Sequence, residues 1–425
     1  MAGFLISDYH TVMKSWSEVT VPSLNFALVF PDLLLTNSAS GTKELVPPKA
    51  VYRMYVCGIT PYDATHLGHA ATYLSFDLIN RYLRARGAEV RYVQNITDID
   101  DPLLERAKRD GVEWDKLAQQ QIDLFRSDMV NLRVIPPAHY IGAVDAIPLV
   151  TEAISTLMSK DSVYPVDNDF YFSVRADKEF GQRSHLTKEE MLQIFSERGG
   201  DPDRIWKKDP LDCLVWMSQR PNEPGWPSPL GTGRPGWHIE CTAIAIKYLD
   251  PLVDETSLID IQGGGSDLIF PHHEMCAAQA QVLSGKPLAS TYVHAGMIGL
   301  DGEKMSKSKG NLVFVSTLVA NGIDPMAIRW ALMKSHYRTD RIWTEELLRE
   351  SESEILVLRS VLSQDFVAPT NKLIQEIIER LADDLDTSQV IASINTWVEQ
   401  SQSGLTGGEV EPLLTVLDSL LGLNL

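Results

Sequence analysis

His66-Leu67-Gly68-His69 and Lys304-Met305-Ser306-Lys307-Ser308 stand on one chain in this order and far apart. A fold that uses both must bring His66, His69, Lys304 and Lys307 to one place. Two imidazoles and two ammoniums converging on a polyphosphate suit an attack by a carboxylate on the α-phosphate of ATP, where negative charge builds up and must be met. Either motif alone is weak. Three fixed letters arise by chance, and a Lys-Met-Ser-Lys-Ser stretch alone could be an exposed basic loop. Together, each in its local context, they point to ATP-dependent adenylation.

The context follows from local pattern. Tyr52 to Cys57 reads as a buried strand that Gly58 breaks, and Pro61 and Asp63 mark a turn. From Leu67 to Arg86 the apolar positions Leu67, Ala70, Ala71, Leu74, Leu78 and Tyr82 recur at helical spacing, and Gly87 closes the helix. His66 and His69 are therefore expected at a helix N-terminus after a strand, where backbone N–H groups and the helix dipole favour phosphate. A purely structural role for both histidines is the competing reading. Gly68 between them, which lets a nucleotide approach the backbone, weighs against it.

Composition fits a soluble cytoplasmic enzyme. The 425 residues with 44% hydrophobic content suffice for one large domain and a smaller one. No apolar run is long enough to span a bilayer, and Met1 to Ser15 lacks the basic flank and long apolar core of a signal peptide. Met13 is a second candidate start. Four cysteines in a chain of this length make no disulfide framework and suggest metal or catalytic use. A formal net charge of −19 disfavours a large nucleic-acid surface. The expected partners are small molecules, with no nucleic acid and no membrane, and the expected state is a monomer.

The chain divides into five stretches. Residues 1–50 look like a β arm, with apolar runs at Ala27 to Leu35 and Leu45 to Val51 split by Thr36 to Gly41. Strand-like and helix-like segments alternate over residues 52 to about 330, as in an α/β protein with a doubly wound, Rossmann-like parallel sheet. Its halves are expected at 51–127 and 236–345, around an insert at 128–235. Glu89 to Ile96 reads as the second strand, and Ile259 to Gln262 as another that runs into Gly263-Gly264-Gly265. Residues 346–425 read as a helical domain, with helices from Glu345, Lys372, Ser388 and Pro412.

Cys57, Cys241, His272 and Cys276 form a third constellation. Thiolate and imidazole are good zinc ligands. The spacing is no finger pattern, and the competing reading is that Cys57, Cys213, Cys241 and Cys276 are small buried hydrophobes. His272 follows Pro271, which suits the first position of a helix, and Cys276 then lies one turn on.

Taken together, Cys57 to Asp63, His66 to His69, Gly233 to Cys241, Gly263 to Asp267, Phe270 to Glu274 and Lys304 to Ser308 resemble the cysteinyl-tRNA synthetase group of class I synthetases. Within that group, Ile59 to Tyr73, Glu197 to Pro202 and His336 to Arg341 more closely resemble the mycothiol-pathway paralogues that ligate cysteine to glucosaminyl-inositol. The resemblance spans about Tyr52 to Glu346.

That likeness implies a Rossmann-like catalytic core with a connective insert and a helical tail. It implies activation of L-cysteine with Mg-ATP to cysteinyl-adenylate, then transfer to the amine of glucosaminyl-inositol with release of AMP. It implies one zinc held by Cys57, Cys241 and His272. The implied adenylate pocket comprises Cys57, Gly58, Ile59, Thr60, Thr72, Asn95, Ile96, Thr97, Trp237, Gly265, Ser266, Asp267 and Ile298. The implied phosphate-handling residues are His66, His69, Lys304 and Lys307.

Physical chemistry is consistent with these roles. Apolar contacts separate cysteine from serine or alanine by only about 1–3 kcal/mol. A zinc with an open position binds a thiolate and rejects a protonated hydroxyl. Gly302 and Gly310 flank the lysine loop and suit a mobile lid. Trp237 and Asp267 would orient the substrate ammonium, against the alternatives of packing and helix capping.

Two departures stand out. Cys276 occupies the position where the synthetases carry a glutamate ligand and the ligases a small residue, and the Cys241–Gly263 loop is a few residues longer than in relatives. A true cysteinyl-tRNA synthetase remains the alternative. The tail, with acidic stretches at Glu350 to Glu354 and Asp383 to Asp386 and no dense basic stripe, counts against it. A non-enzymatic regulator would be expected to have lost one of the two signature motifs.

Overall fold

The computed structural model describes residues 13–63, 65–249, 255–300, 303–304 and 312–425. An antiparallel hairpin, β1 (Leu34–Asn37) and β2 (Thr42–Leu45), leads into the alternating core. The core begins β3 (Val51–Val56), α1 (Leu67–Ala85), β4 (Glu89–Ile96), α2 (Asp101–Asp110), α3 (Trp114–Asn131), β5 (His139–Gly142) and α4 (Ile147–Ser159). An antiparallel four-stranded sheet follows, with β6 (Val163–Val166), β7 (Asp169–Phe172), α5 (Lys188–Glu197), β8 (Cys213–Ser218) and β9 (Gly233–Pro235). The core resumes with α6 (Trp237–Tyr248), β10 (Ile259–Gly265), α7 (Glu274–Ser284) and β11 (Ala289–Ala295). Next come β12 (Ile298–Leu300), β13 (Glu303–Lys304), α8 (Val315–Ala320), α9 (Pro325–Met333) and β14 (Arg341–Trp343). The tail comprises α10 (Glu345–Leu362), α11 (Asn371–Ala382), α12 (Thr387–Gln402) and α13 (Val410–Leu421).

The central sheet is wholly parallel, in the order β11-β10-β3-β4-β5. Strand order reverses between β3 and β10, and in doubly wound sheets ligands bind beyond the carboxyl ends of the strands at that point. The strand sequences explain the burial of the sheet on both faces. Along β3, Tyr52, Met54 and Val56 join one hydrophobic cluster, while Tyr55 and the following Cys57 join the other. The first cluster packs α1 and the tail helices against one face; the second packs α4, α6, α7 and part of the insert against the other.

The expected boundary between 127 and 128 falls inside α3, and β5 still pairs with β4 in the central sheet. The antiparallel sheet occupies the later part of the expected insert. A buried carboxylate, Asp77 of α1, fastens the tail. It pairs with Arg81 at 2.7 Å and with Arg329 of α9, and Arg81 also donates to the Asp418 carbonyl at 2.8 Å. Asp384 fastens a second edge. It accepts from Tyr337 and Arg338, each at 2.8 Å, and from the Thr36 amide at 2.9 Å. The His336–Arg341 run thus ties the tail to the β1–β2 hairpin, and Asp340 also accepts from the Met297 amide at 2.7 Å.

One local expectation is corrected. His272 does not open a regular helix. Phe270 is extended (φ −139°, ψ 137°), as a residue before proline prefers, and Ile269–His273 form a wider turn before α7 starts at Glu274. The helix is displaced by two residues, yet His272 and Cys276 remain adjacent, with Sγ to Nε2 at 3.8 Å.

Candidate active site

The switch point of the sheet collects the residues singled out from sequence. Cys57 leaves the end of β3 with its amide bonded to the Gly263 carbonyl at 3.0 Å. At Gly58 a Cβ would lie 1.7 Å from the Asn95 carbonyl oxygen, so only glycine permits β3 and β4 to end this close together. The Gly58 amide donates to Asn95 Oδ1 at 2.8 Å, Asn95 Nδ2 to Thr97 Oγ1 at 3.2 Å, and the Thr97 amide to the Ile59 carbonyl at 3.0 Å. Gly58, Ile59 and Thr60 are therefore clasped against Asn95, Ile96 and Thr97. At the end of β10, a side chain at Gly265 would begin 2.6 Å from Asp267 and 3.8 Å from Thr72 Oγ1, which places Thr72 beside the Gly265–Ser266–Asp267 turn. Asp267 lies inside a short 3-10 turn rather than capping a helix. Ile298 is buried at the start of β12.

His66 caps α1 with its own ring. Nδ1 accepts from the amides of Gly68 at 3.1 Å and His69 at 3.4 Å, which puts its proton on Nε2 when the ring is neutral. A Cβ at Gly68 would come within 2.9 Å of that ring. His69 stacks on His66 at 3.6 Å between centroids, and burial, with the His66 charge adding to it, holds the His69 imidazole well below its ordinary pKa. A neutral His69 is a hydrogen-bonding group rather than a cation.

The segment after the lysine loop is stitched to this turn. The Leu67 amide donates to the Val313 carbonyl at 2.9 Å and the Val315 amide to the Thr65 carbonyl at 3.1 Å. Lys304 lies in β13, with its backbone opposite Gly299 of β12. Lys307, Gly302 and Gly310 lie outside the described residues.

Cys57, Cys241 and His272 come together from β3, α6 and the turn before α7, with one donor atom each, all within 4.8 Å of one another, and all three residues buried. The two sulfurs stand 3.9 Å apart. Two thiolates on one tetrahedral zinc at about 2.3 Å would stand about 3.8 Å apart, so the spacing and the donor chemistry fit that ion. Of the two sulfurs, Cys241 is the one whose surroundings favour thiolate. Burial raises the Cys57 thiol; at Cys241 burial is outweighed by hydrogen bonding from Cys57 and by the His272 charge, which favour thiolate. At His272 burial is outweighed by the Cys276 and Cys241 sulfurs, and its pKa is raised.

Trp237, at the start of α6, stacks on His272 at 4.3 Å and 29°. Cys276 stands aside from the set and donates its thiol to the His238 carbonyl at 3.3 Å.

Sequence reasoning missed the groups that support this triad. His238 Nδ1 meets His272 Nδ1 at 3.0 Å. His273 Nε2 lies 3.2 Å from Cys57 Sγ and 3.0 Å from Gln262 Nε2, and its Nδ1 meets His294 Nε2 at 2.7 Å. The available signal was a polar Gln262 inside an otherwise buried strand and the adjacent pair His272-His273. Arg198, from the Glu197–Pro202 run, was also missed as a contact; it donates to the carbonyls of Asp267 and Phe270 and so links the insert to the pocket rim.

Comparison with known proteins bears on this arrangement. Residues 44–353 match the family described as tRNA synthetases class I (C) catalytic domain. An L-cysteine:1D-myo-inositol 2-amino-2-deoxy-alpha-D-glucopyranoside ligase of Thermomonospora curvata is 52% identical over 422 residues, 97% of this chain and 100% of the relative. Ligases of the same name from Nocardia farcinica and Kribbella flavida are 49% and 51% identical, with the same coverage. Among solved structures, methionyl-tRNA synthetase of Mycobacterium tuberculosis in complex with methionyl-adenylate aligns with a TM-score of 0.60 at 16% identity, over 88% of each chain. An Agrobacterium radiobacter LeuRS in a ternary complex aligns with a TM-score of 0.58 at 12% identity, over 88% of this chain and 83% of that one. These likenesses at low identity show the shared fold.

Proposed function

The chain belongs to the class I synthetase family, in the branch of the cysteine:glucosaminyl-inositol ligases, and from that premise we propose that it activates L-cysteine with Mg-ATP and transfers it to the amine of glucosaminyl-inositol. The observation that carries this reading is the convergence at one strand end of the Cys57–Cys241–His272 donor set, the Gly58–Asn95 clasp and the His66 turn. An amino acid with a thiol side chain, a nucleotide and a polyphosphate are the ligands such a set suits.

In the first half-reaction the cysteine carboxylate attacks the α-phosphorus of ATP. An oxygen–phosphorus bond forms, and the bond to the bridging oxygen breaks with its electron pair leaving on pyrophosphate. His66 and His69 hydrogen-bond the phosphates, and Lys304 and Lys307 neutralise charge on the leaving group. The ring orientation of His66 is preset, because Nδ1 is held by two backbone amides. Cys57, Cys241 and His272 would hold zinc, and the ion would supply a thiolate-selective contact for the substrate side chain. Trp237 and Asp267 frame the substrate ammonium, and Gly58 to Thr60 with Asn95 to Thr97 hold the adenylate.

In the second half-reaction the neutral amine of the acceptor attacks the acyl carbon. A carbon–nitrogen bond forms, the carbon–oxygen bond to AMP breaks, and the nitrogen loses a proton. The acceptor's identity is drawn from the relatives, supported by the formal net charge of −19, which disfavours a large nucleic-acid surface. The test is purified protein with cysteine and ATP, offered glucosaminyl-inositol or tRNA. AMP and an amide product with the amino sugar are expected; efficient charging of tRNA would overturn the reading in favour of a synthetase.

A further inference from the structure

A cleft of about 490 Å³ opens beside the carboxyl ends of β4 and β5, and none of the residues assigned above to the adenylate, phosphates or metal lines it. Its wall carries Asp98, Trp114, Asp115, Gln119, Arg126 and Asp145. The volume falls within the roughly 300–1,000 Å³ of small-molecule sites. Three carboxylates stand against the Arg126 guanidinium and the Lys14 ammonium, a mixed lining with one negative charge in excess. Carboxylate, amide and guanidinium groups at several heights match a ligand that presents many hydroxyls, and an indole supplies a flat apolar face with a polar edge for a sugar ring.

Position supports the same ligand class. β4 and β5 are the first and second neighbours of β3 on one side of the sheet. Adjacent strands lie about 4.8 Å apart, so the ends of β4 and β5 that border the cleft lie roughly 5 and 10 Å along the sheet from the end of β3, which carries Cys57 and Gly58. Asp98 directly follows Thr97 of the adenylate clasp. Its Oδ1 accepts from the Val144 amide at 2.9 Å, and a Cβ at Gly142 would come within 2.6 Å of its Oδ2, so the carboxylate is fixed between the β4 and β5 ends. Burial, with the Asp145 charge adding to it and backbone amides opposing it, pushes Asp98 up to about 6, which leaves it ionised at neutral pH. The far wall is joined to the insert by the Asp101–Arg234 ion pair and by the edge-to-face contact of Trp114 with Trp226 at 6.0 Å.

Resting on the ligase reading above, we propose that this cleft is the acceptor subsite and takes the amine-bearing polyol, with Asp98 toward the acyl carbon and Asp115, Gln119 and Asp145 against the hydroxyls. The cleft binds the polyol after the adenylate has formed in the neighbouring pocket, so acceptor affinity and cysteine activation depend on different residues.

The test uses the full-length enzyme, a double variant Asp115→Asn with Gln119→Ala, and Asp145→Asn. All three positions are exposed, and cysteine-dependent pyrophosphate exchange reports on both folding and the first half-reaction. The expected result is a rise of tenfold or more in the KM for glucosaminyl-inositol in the double variant and in Asp145→Asn, with exchange rate and the KM values for cysteine and ATP within twofold of wild type. Acceptor KM values within twofold of wild type in both variants would overturn the assignment while leaving the ligase reading intact. Failure of the wild-type enzyme to form amide from glucosaminyl-inositol would sink the ligase reading, and this assignment with it.

Discussion

The backbone amide of Leu67 donates to the carbonyl of Val313 across 2.9 Å. Leu67 is the second residue of the histidine motif, and Val313 lies just beyond the lysine motif. With the return bond from Val315 to Thr65 at 3.1 Å, the end of the lysine loop is anchored on the turn that holds His66 and His69. Under the phosphate roles proposed above, this tether sets the segment after the lysine motif in register with the imidazoles.

Cysteine-dependent exchange of pyrophosphate into ATP is therefore expected without any acceptor, since the carboxylate attacks before the amine. Lys304→Ala and Lys307→Ala should each slow exchange by roughly 10²-fold or more, the scale for losing one preorganised transition-state contact. Wild-type exchange rates in both variants would remove the phosphate role from the loop.

Metal analysis of purified protein should find one zinc per chain. Cys57→Ala, Cys241→Ala and His272→Ala should each lose or weaken it, because each supplies one donor to a buried set with no second such set among the described residues. Discrimination against serine should fall together with rate, since the thiolate-selective contact disappears. Active protein that contains no zinc would end this line of argument.

Cys276 tests whether that metal site is open. Its thiol is turned to the His238 carbonyl at 3.3 Å and lies 3.8 Å from His272 Nε2. A fourth thiolate on the ion would close the position that substrate needs. Cys276→Ser should keep zinc and keep activity within a few-fold. If the variant loses its metal, Cys276 is a ligand and the open-site reading fails.

The regular elements were legible where the chain obeys a single period. Glu89–Ile96 and Glu345–Leu362 have the limits that alternation and helical spacing indicate. The strand-to-helix turn around His66 was legible too, because Gly58, Pro61 and Gly87 punctuate it. The start of α7 was not, since a proline that suits the first turn of a helix also restricts the residue before it, and the extended Phe270 displaces the helix start. The supporting histidines were not legible either. His238, His273 and His294 meet only when α6, the turn before α7 and β11 are packed, and nothing in their spacing announces that contact. Likewise the acceptor cleft is built from the ends of β4 and β5 and one face of α3, so its residues share no motif.

Asp77 offers a test of how the tail is held. It is buried between Arg81 and Arg329 and also accepts from the Ile135 amide at 2.9 Å. Burial raises its pKa, but the two guanidiniums outweigh burial and hold the carboxyl below the ordinary carboxylate range. A group depressed on folding contributes stability that is present above its unfolded pKa and is lost as pH falls through the folded one. Asp77→Asn keeps the shape but leaves two buried cations without their shared partner, a loss on the order of 3–5 kcal/mol. Urea unfolding at pH 7 should show that loss as a lower midpoint, and the gap between variant and wild type should narrow as the pH is taken below the carboxylate range. A difference under about 1 kcal/mol at pH 7 would mean that the Arg81 contacts with the Asp418 and Arg133 carbonyls, together with apolar packing, fasten α13 to the core without the carboxylate.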